Sequence, residues 1–345
     1  MLIIIGLIII AIGAFCQSSC YVPINKIKDW SWESYWIVQG VFAWLVFPLL
    51  GALLAVPAGH SLTELFASAP SFNVWMTIFF GVLWGVGGLT FGLSMRYLGV
   101  ALGQSIALGT CAGLGTIMGP VLLNIYFPEQ KPLESLTSAV IIGVVVTLIG
   151  IAIIGIAGHM KAQSLSEEEK KAAVKDFNFP KGIVIALLAG FMSGCFNVGL
   201  EFGKDINFGE LTNPMYSTLP ATLLVTLGGF VTNAIYCFYQ NQKNKTWGDY
   251  GKTAIWGNNL LFCALAGLLW YSQFFGLSLG KGFLTDSPTL TTFAFCILMA
   301  LNVVFSNVWG IILKEWKGVS QKTIVVLLIG IVVLIVSTFV PELLK

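Results

Sequence analysis

Residues 136–158 read LTSAVIIGVVVTLIGIAIIGIAG, twenty-three positions without a single charged side chain. A bilayer's hydrocarbon core is about 30 Å thick, and roughly 20 helical residues cross it. Backbone groups in lipid must be satisfied within their own segment, so this stretch reads as a transmembrane helix. The chain then turns polar. Residues 159–181 hold His159, Lys161, Glu167, Glu168, Glu169, Lys170, Lys171, Lys175 and Asp176. That segment reads as a solvated, partly helical linker.

The same kind of apolar run recurs on both sides of the linker. Ten spans are expected near 2–22, 36–57, 74–95, 99–125, 136–158, 182–201, 216–239, 256–277, 289–313 and 323–340. The fourth is long and rich in glycine, and is expected to be tilted or broken. Met1 to Cys20 has no Lys or Arg before its apolar run, so it reads as a first membrane helix and not as a signal peptide. Composition agrees: the chain is 57% hydrophobic and 10% charged, with a mean hydropathy of +0.86. Soluble domains carry about 25% charged residues. A net charge of +2 leaves no bulk basic surface for nucleic acid. The expectation is an all-α membrane protein of ten transmembrane helices.

Loop charges orient those helices. Fourteen of the eighteen Lys and Arg residues lie in loops that follow odd-numbered spans. Cytoplasmic loops carry the excess of basic residues, which places the odd loops inside and both termini outside. The two halves also echo each other. Ala14 to Tyr21 (AFCQSSCY) corresponds to Ala189 to Phe196 (AGFMSGCF), and Phe91-Gly92-Leu93-Ser94 to Phe275-Gly276-Leu277-Ser278. Five spans per half is an odd number, so the second half enters from the opposite side. The organisation read here is an N-terminal five-helix repeat over 1–158, a charged cytoplasmic linker over 159–181 and an inverted C-terminal repeat over 182–345. Secondary transporters are commonly built this way, with substrate held near the midplane.

Enzyme signatures are weak. Gly276-Leu277-Ser278-Leu279-Gly280 matches GxSxG, but it ends a hydrophobic helix, whereas a nucleophile elbow joins a strand to a helix. His60 and His159 are the only histidines, and both fall in loops. The seven cysteines show no CxxC and no spacing suited to a metal. No cofactor motif and no P-loop occurs. Glycines at 81, 85, 88 and 92 share a face of span three, and Ser105, Gly109, Gly113 and Thr116 share one on span four; small residues so spaced let helices approach closely.

The polar interruptions of the spans carry the functional reading. Ser193, Asn197 and Glu201 lie on one face of span six. Asn259, Cys263, Trp270 and Gln273 do so on span eight, and Asn302, Ser306 and Trp309 on span nine. Gln17, Tyr21 and Gln104 add to the set. Such groups either bond neighbouring helices or face a watery cavity. Carboxamides and hydroxyls match sugar hydroxyls as donors and acceptors, and aromatic rings offer a face to the C–H side of a sugar. No cationic run points inward. A small neutral polyol fits this inventory. A proton-coupled carrier also needs a carboxylate whose pKa can rise through desolvation. Glu201, Asp286 and Glu33 are the candidates. Glu201 leads because it extends the Asn197 face, and its alternative is pairing with Lys204 at the outer interface.

Tyr21-Val22-Pro23, Lys26, Lys28 and Trp30-Ser31-Trp32-Glu33 resemble the first loop of the bacterial L-rhamnose–proton symporter family, within the drug/metabolite transporter superfamily. Trp84-Gly85, Gly92-Leu93-Ser94-Met95-Arg96-Tyr97-Leu98-Gly99, Phe177-Asn178 with Lys181-Gly182, Leu269-Trp270-Tyr271 with Gln273-Phe274-Phe275, and Leu313-Lys314-Glu315-Trp316 match in order. The resemblance implies ten helices in two inverted repeats and proton-driven uptake of L-rhamnose, with L-lyxose as a related cargo, at the bacterial inner membrane. The rivals are an exporter on the same fold and a membrane enzyme or receptor.

Overall fold

The computed structural model describes residues 1–98, 100–164, 179–314 and 316–344; the side chains at 92, 95, 96, 100–102, 104 and 179 are outside that description. Every regular element among the described residues is helical. The long helices are α1 (Leu2–Ser19), α2 (Trp32–Leu54), α3 (Ser71–Leu98), α4 (Val100–Tyr126), α5 (Ser138–Gln163), α6 (Phe179–Phe202), α7 (Leu219–Asn244), α8 (Trp256–Phe283), α9 (Pro288–Ile312) and α10 (Gln321–Ser337). Among the described residues, α1 to α9 supply nine segments long and apolar enough to cross a membrane. α10 is equally apolar in character but only 17 residues long. The all-helical membrane class expected from hydropathy is therefore present. Most of the charged linker, 165–178, lies outside the described residues.

The chain folds as two compact units, Met1–Gly85 with Phe202–Phe283 and Val86–Glu201 with Leu284–Lys345. Each unit draws on sequence from both sides of the linker. In the first, α1 lies against α8 at glycines. A Cβ on Gly13 would stand 2.9 Å from the Ser272 carbonyl oxygen, and one on Gly276 would stand 3.1 Å from that of Ile9. The α3 segment up to Gly85 meets α7 in the same way, with Gly228 against the Ile78 carbonyl. Without a hydrophobic force between helices in lipid, such close approach and its dispersion energy hold them together. Ser278 donates to the Met215 carbonyl oxygen at 2.9 Å. The GxSxG match is thus a packing motif, two glycines seated on α1 and a serine tied to a loop.

In the second unit, α5 packs between α4 and α10. Gly150 and Gly330 admit Leu334 and Ile154, and Thr147 donates to the Ser337 hydroxyl at 3.0 Å. α6 meets α4 where Gly190 faces Thr110 and Gly194 faces Gly115. The glycine stripes of spans three and four therefore serve largely as contact faces, although nothing lies within 4 Å of a Cβ on Gly88. Large residues turn outward: Ile4, Ile8 and Ile12 of α1 are exposed, while Gly6, Ile10, Gly13 and Ala14 are buried. That inversion of the soluble rule is what a lipid solvent selects. α4 runs unbroken from Val100 to Tyr126 with Pro120 inside it. The irregular helix is instead α2.

Candidate functional site

α2 is α-helical over Trp32–Gly40, widens into a π-turn at Val41–Val46, and returns to α-helix at Phe47–Leu54. The sequence explains the change. Pro48 has no N–H to offer the Trp44 carbonyl four residues back. The Phe47 N–H reaches Phe42, five residues back. Gly40 leaves room for the turn, because a Cβ there would stand 2.5 Å from the Trp44 ring. π-turns inside α-helices are rare and recur at functional sites.

Trp44 sits at the centre of an indole cluster in the first unit. Its ring centroid lies 5.8 Å from Trp36, 6.0 Å from Trp84 and 6.0 Å from Trp270. Trp84 and Trp270 are 5.6 Å apart, and Phe274 adds a ring 5.3 Å from Trp270. The Trp36 N–H is satisfied by the Asn233 side-chain oxygen at 3.0 Å, and Asn233 in turn donates to the Gly229 carbonyl at 2.9 Å. The Trp44 Nε1, the Gln39 Oε1 and the Tyr271 hydroxyl are buried with no hydrogen-bond partner. Such a group costs about 1–3 kcal/mol in a protein interior. α8 presses on this turn at Gly267, where a Cβ would meet Phe42, the Ala43 nitrogen and the Gln39 carbonyl.

A second polar assembly joins the loop before α2 to the loop before α8. Asp249 accepts from the Ser31 N–H at 2.8 Å, from the Ser31 and Ser34 hydroxyls, and from Lys252 Nζ at 2.6 Å. Burial pushes its carboxyl up, but these donors outweigh burial and hold it at about 2. Lys252 also donates to the carbonyl of Asp29, which takes a left-handed φ of 48°. Glu33 accepts from Asn244 at 3.0 Å and Thr246 at 2.8 Å.

The residues singled out from sequence fall on both units. In the first, Gln17 is half-buried on α1, and Tyr21 is 58% exposed at the start of a short helical turn. Trp270 is in the indole cluster, and the buried Gln273 next to it on α8 donates to the Trp270 carbonyl at 3.1 Å. Asn259 is fully buried and has both ends engaged by Lys28, accepting from its N–H at 3.0 Å and donating to its carbonyl at 2.8 Å. In the second, Asn197 donates to the Gly115 carbonyl at 2.8 Å and keeps its buried Oδ1 without a partner. Glu201 is half-buried over Gly119, where a Cβ would stand 2.7 Å from the Glu201 Cγ. Asn302 is buried on α9 and Asp286 is exposed in the loop before it. The Gln104 side chain lies outside the described residues.

Gln39, Trp44, Asn233 and Asp249 were not among the candidates. Gln39 had an available signal, a lone carboxamide inside an apolar span. Asn233 and Asp249 depend on pairings across more than 190 residues of chain, and Trp44 stands out only once the rings of α3 and α8 surround it.

Residues 1–343 match the family model described as L-rhamnose-proton symport protein (RhaT). The chain is 31% identical over 344 residues to the L-rhamnose-proton symporter of Yersinia pestis (strain Pestoides F), covering 97% of this chain and 96% of that one. The identity and both coverages are the same for the L-rhamnose-proton symporter of Yersinia pseudotuberculosis serotype O:1b (strain IP 31758). With a membrane-helix fold, glycine-packed spans and a match running essentially from end to end, the chain belongs to the L-rhamnose–proton symporter family.

Proposed function

We propose that this protein takes up L-rhamnose together with protons across the inner membrane of a bacterium. The observation that carries this reading is the family match over residues 1–343. It makes the protein a transporter and not an enzyme, and it gives the exporter reading no support. The indole cluster and the buried carboxamides suit a small neutral ring with an apolar side and several hydroxyls. L-lyxose is the second cargo this reading includes.

The finer parts of the reading rest on sequence. Ten spans in two inverted five-helix repeats, odd loops in the cytoplasm and both termini outside would let substrate meet either side by alternating access. Of the named residues in the first unit, Trp270 and Gln273 have the strongest claim to the sugar; in the second unit, Asn197 keeps a buried acceptor without a partner. Gln17, Tyr21, Gln104 and Asn302 remain candidates on their spans. Asn259 acts on the first loop, which it pins at Lys28. Glu201 carries the proton in this reading, because Glu33 is already held by two donors and Asp286 is exposed in a loop.

Purified protein in liposomes with an inward proton gradient tests the function. Labelled L-rhamnose should accumulate, and the accumulation should collapse when a protonophore is added. Absence of accumulation in vesicles that contain folded protein sinks the reading. Net efflux against the gradient would favour the exporter.

A further inference from the structure

Resting on the reading above, we infer that Gln39 and Trp44 form the hydrogen-bonding part of the sugar site, with Trp84 and Trp270 as its aromatic wall. The chemical class is a neutral deoxyhexose ring. Three independent features of the first unit converge on this place.

The first is the pair of orphaned polar atoms. Gln39 is 2% exposed and Trp44 is 3% exposed, yet the Oε1 of one and the Nε1 of the other have no partner. Buried polar groups are almost always paired, and each exception calls for a reason. The two atoms are complementary, since an indole N–H only donates and a carboxamide oxygen only accepts. A sugar hydroxyl does both, so adjacent hydroxyls on one ring can answer the two groups.

The second is the local backbone. The π-turn at Val41–Val46 itself carries Trp44 and begins two residues after Gln39, and Gly40 admits the Trp44 ring. Pro48 sets the turn, and the turn in place brings the Trp44 ring over Gly40. The third is the wall. Trp84 and Trp270 stand 5.6 Å apart and each lies 6.0 Å from Trp44. Indole faces take the C–H side and methyl group of a deoxysugar, which a fully hydroxylated substituent would fit less well. A Cβ on Gly267 would stand 3.2 Å from the Gln39 backbone carbonyl oxygen, so the backbone at Gln39 meets α8 three residues before Trp270.

The test uses full-length protein in detergent, titrated with L-rhamnose by calorimetry and melted with and without sugar. Trp44→Phe keeps the ring and removes the N–H. Gln39→Met keeps the length and removes the acceptor. Each should weaken L-rhamnose affinity by tenfold or more, while the sugar-free protein melts at or above the wild-type temperature. That combination marks an orphaned binding group, because deleting an unsatisfied buried polar atom relieves the free protein. Affinity within twofold of wild type in both variants overturns the inference. So does a clear fall in melting temperature or loss of folded protein in both, which would mark a structural role. If the wild type itself binds no L-rhamnose, the proposed function fails, and this inference falls with it.

Discussion

Replacing Asp249 by Asn tests how strongly one buried carboxylate organises the first unit. Asp249 is 7% exposed and accepts from Ser31, Ser34 and Lys252. Its carboxyl titrates at about 2 instead of 3.8, because those donors outweigh the burial that opposes ionisation. The gap corresponds to about 2 kcal/mol of preference for the ionised form in the folded loop. A depressed pKa contributes stability that is fully present above pH 3.8 and is lost as pH falls through about 2. Asn has the shape of the protonated acid, so Asp249→Asn should remove about 2 kcal/mol at neutral pH. Hydrogen exchange read by mass spectrometry reports this locally. Peptides holding Ser31 to Ser34 should exchange about 30-fold faster at pH 7, at 1.4 kcal/mol per factor of ten. The wild type should approach the variant only near pH 2. A change below threefold at pH 7, or a wild-type loop that opens by pH 4, would refute the reasoning.

Other substitutions probe the packing and the transport cycle. Gly81→Ala places a Cβ against the Val225 backbone and should cost about 1–3 kcal/mol, whereas Gly88→Ala meets nothing within 4 Å and should leave the melting temperature in detergent unchanged or slightly higher. Gln273→Ala and Asn197→Ala should each weaken L-rhamnose uptake about tenfold; uptake unchanged in both would remove them from the site. Glu201→Gln should abolish accumulation against a gradient while sugar exchange between loaded vesicles persists, and continued accumulation would move the proton elsewhere.

The polar stripes show how far face periodicity carries. Asn259, Trp270 and Gln273 share a face of α8, as their spacing implies. Asn259 and Gln273 are nevertheless fourteen residues apart, roughly 21 Å along a helix. No single sugar ring reaches both, and Asn259 is engaged by Lys28 while Trp270 faces Trp44 and Trp84. A stripe names the side of a helix that avoids lipid, without saying which partner waits at each level. Span four was expected to break because it is rich in glycine, yet its glycines face α5 and α6 and the helix continues. Span two distorts at a place that its apolar composition did not mark.

Hydropathy by itself determined that this chain is a bundle of membrane helices, because transfer into lipid is a local energy summed along each segment. The small residues of spans three and four, Gly81, Gly85, Gly109 and Gly113 among them, already indicated close helix contacts, since only small side chains let backbones approach in a solvent as apolar as the core. The contacts at Gly13 and Gly276 came from the structure. The family motifs at the ends of the spans pointed to the L-rhamnose–proton symporter family. Tertiary structure alone decided that the Trp36 N–H is paired while those of Trp44 and Trp30 are not, and that Asp249 answers Ser31 from 218 residues away. The value of a buried polar group depends on what stands across from it, and that partner comes from a distant part of the chain.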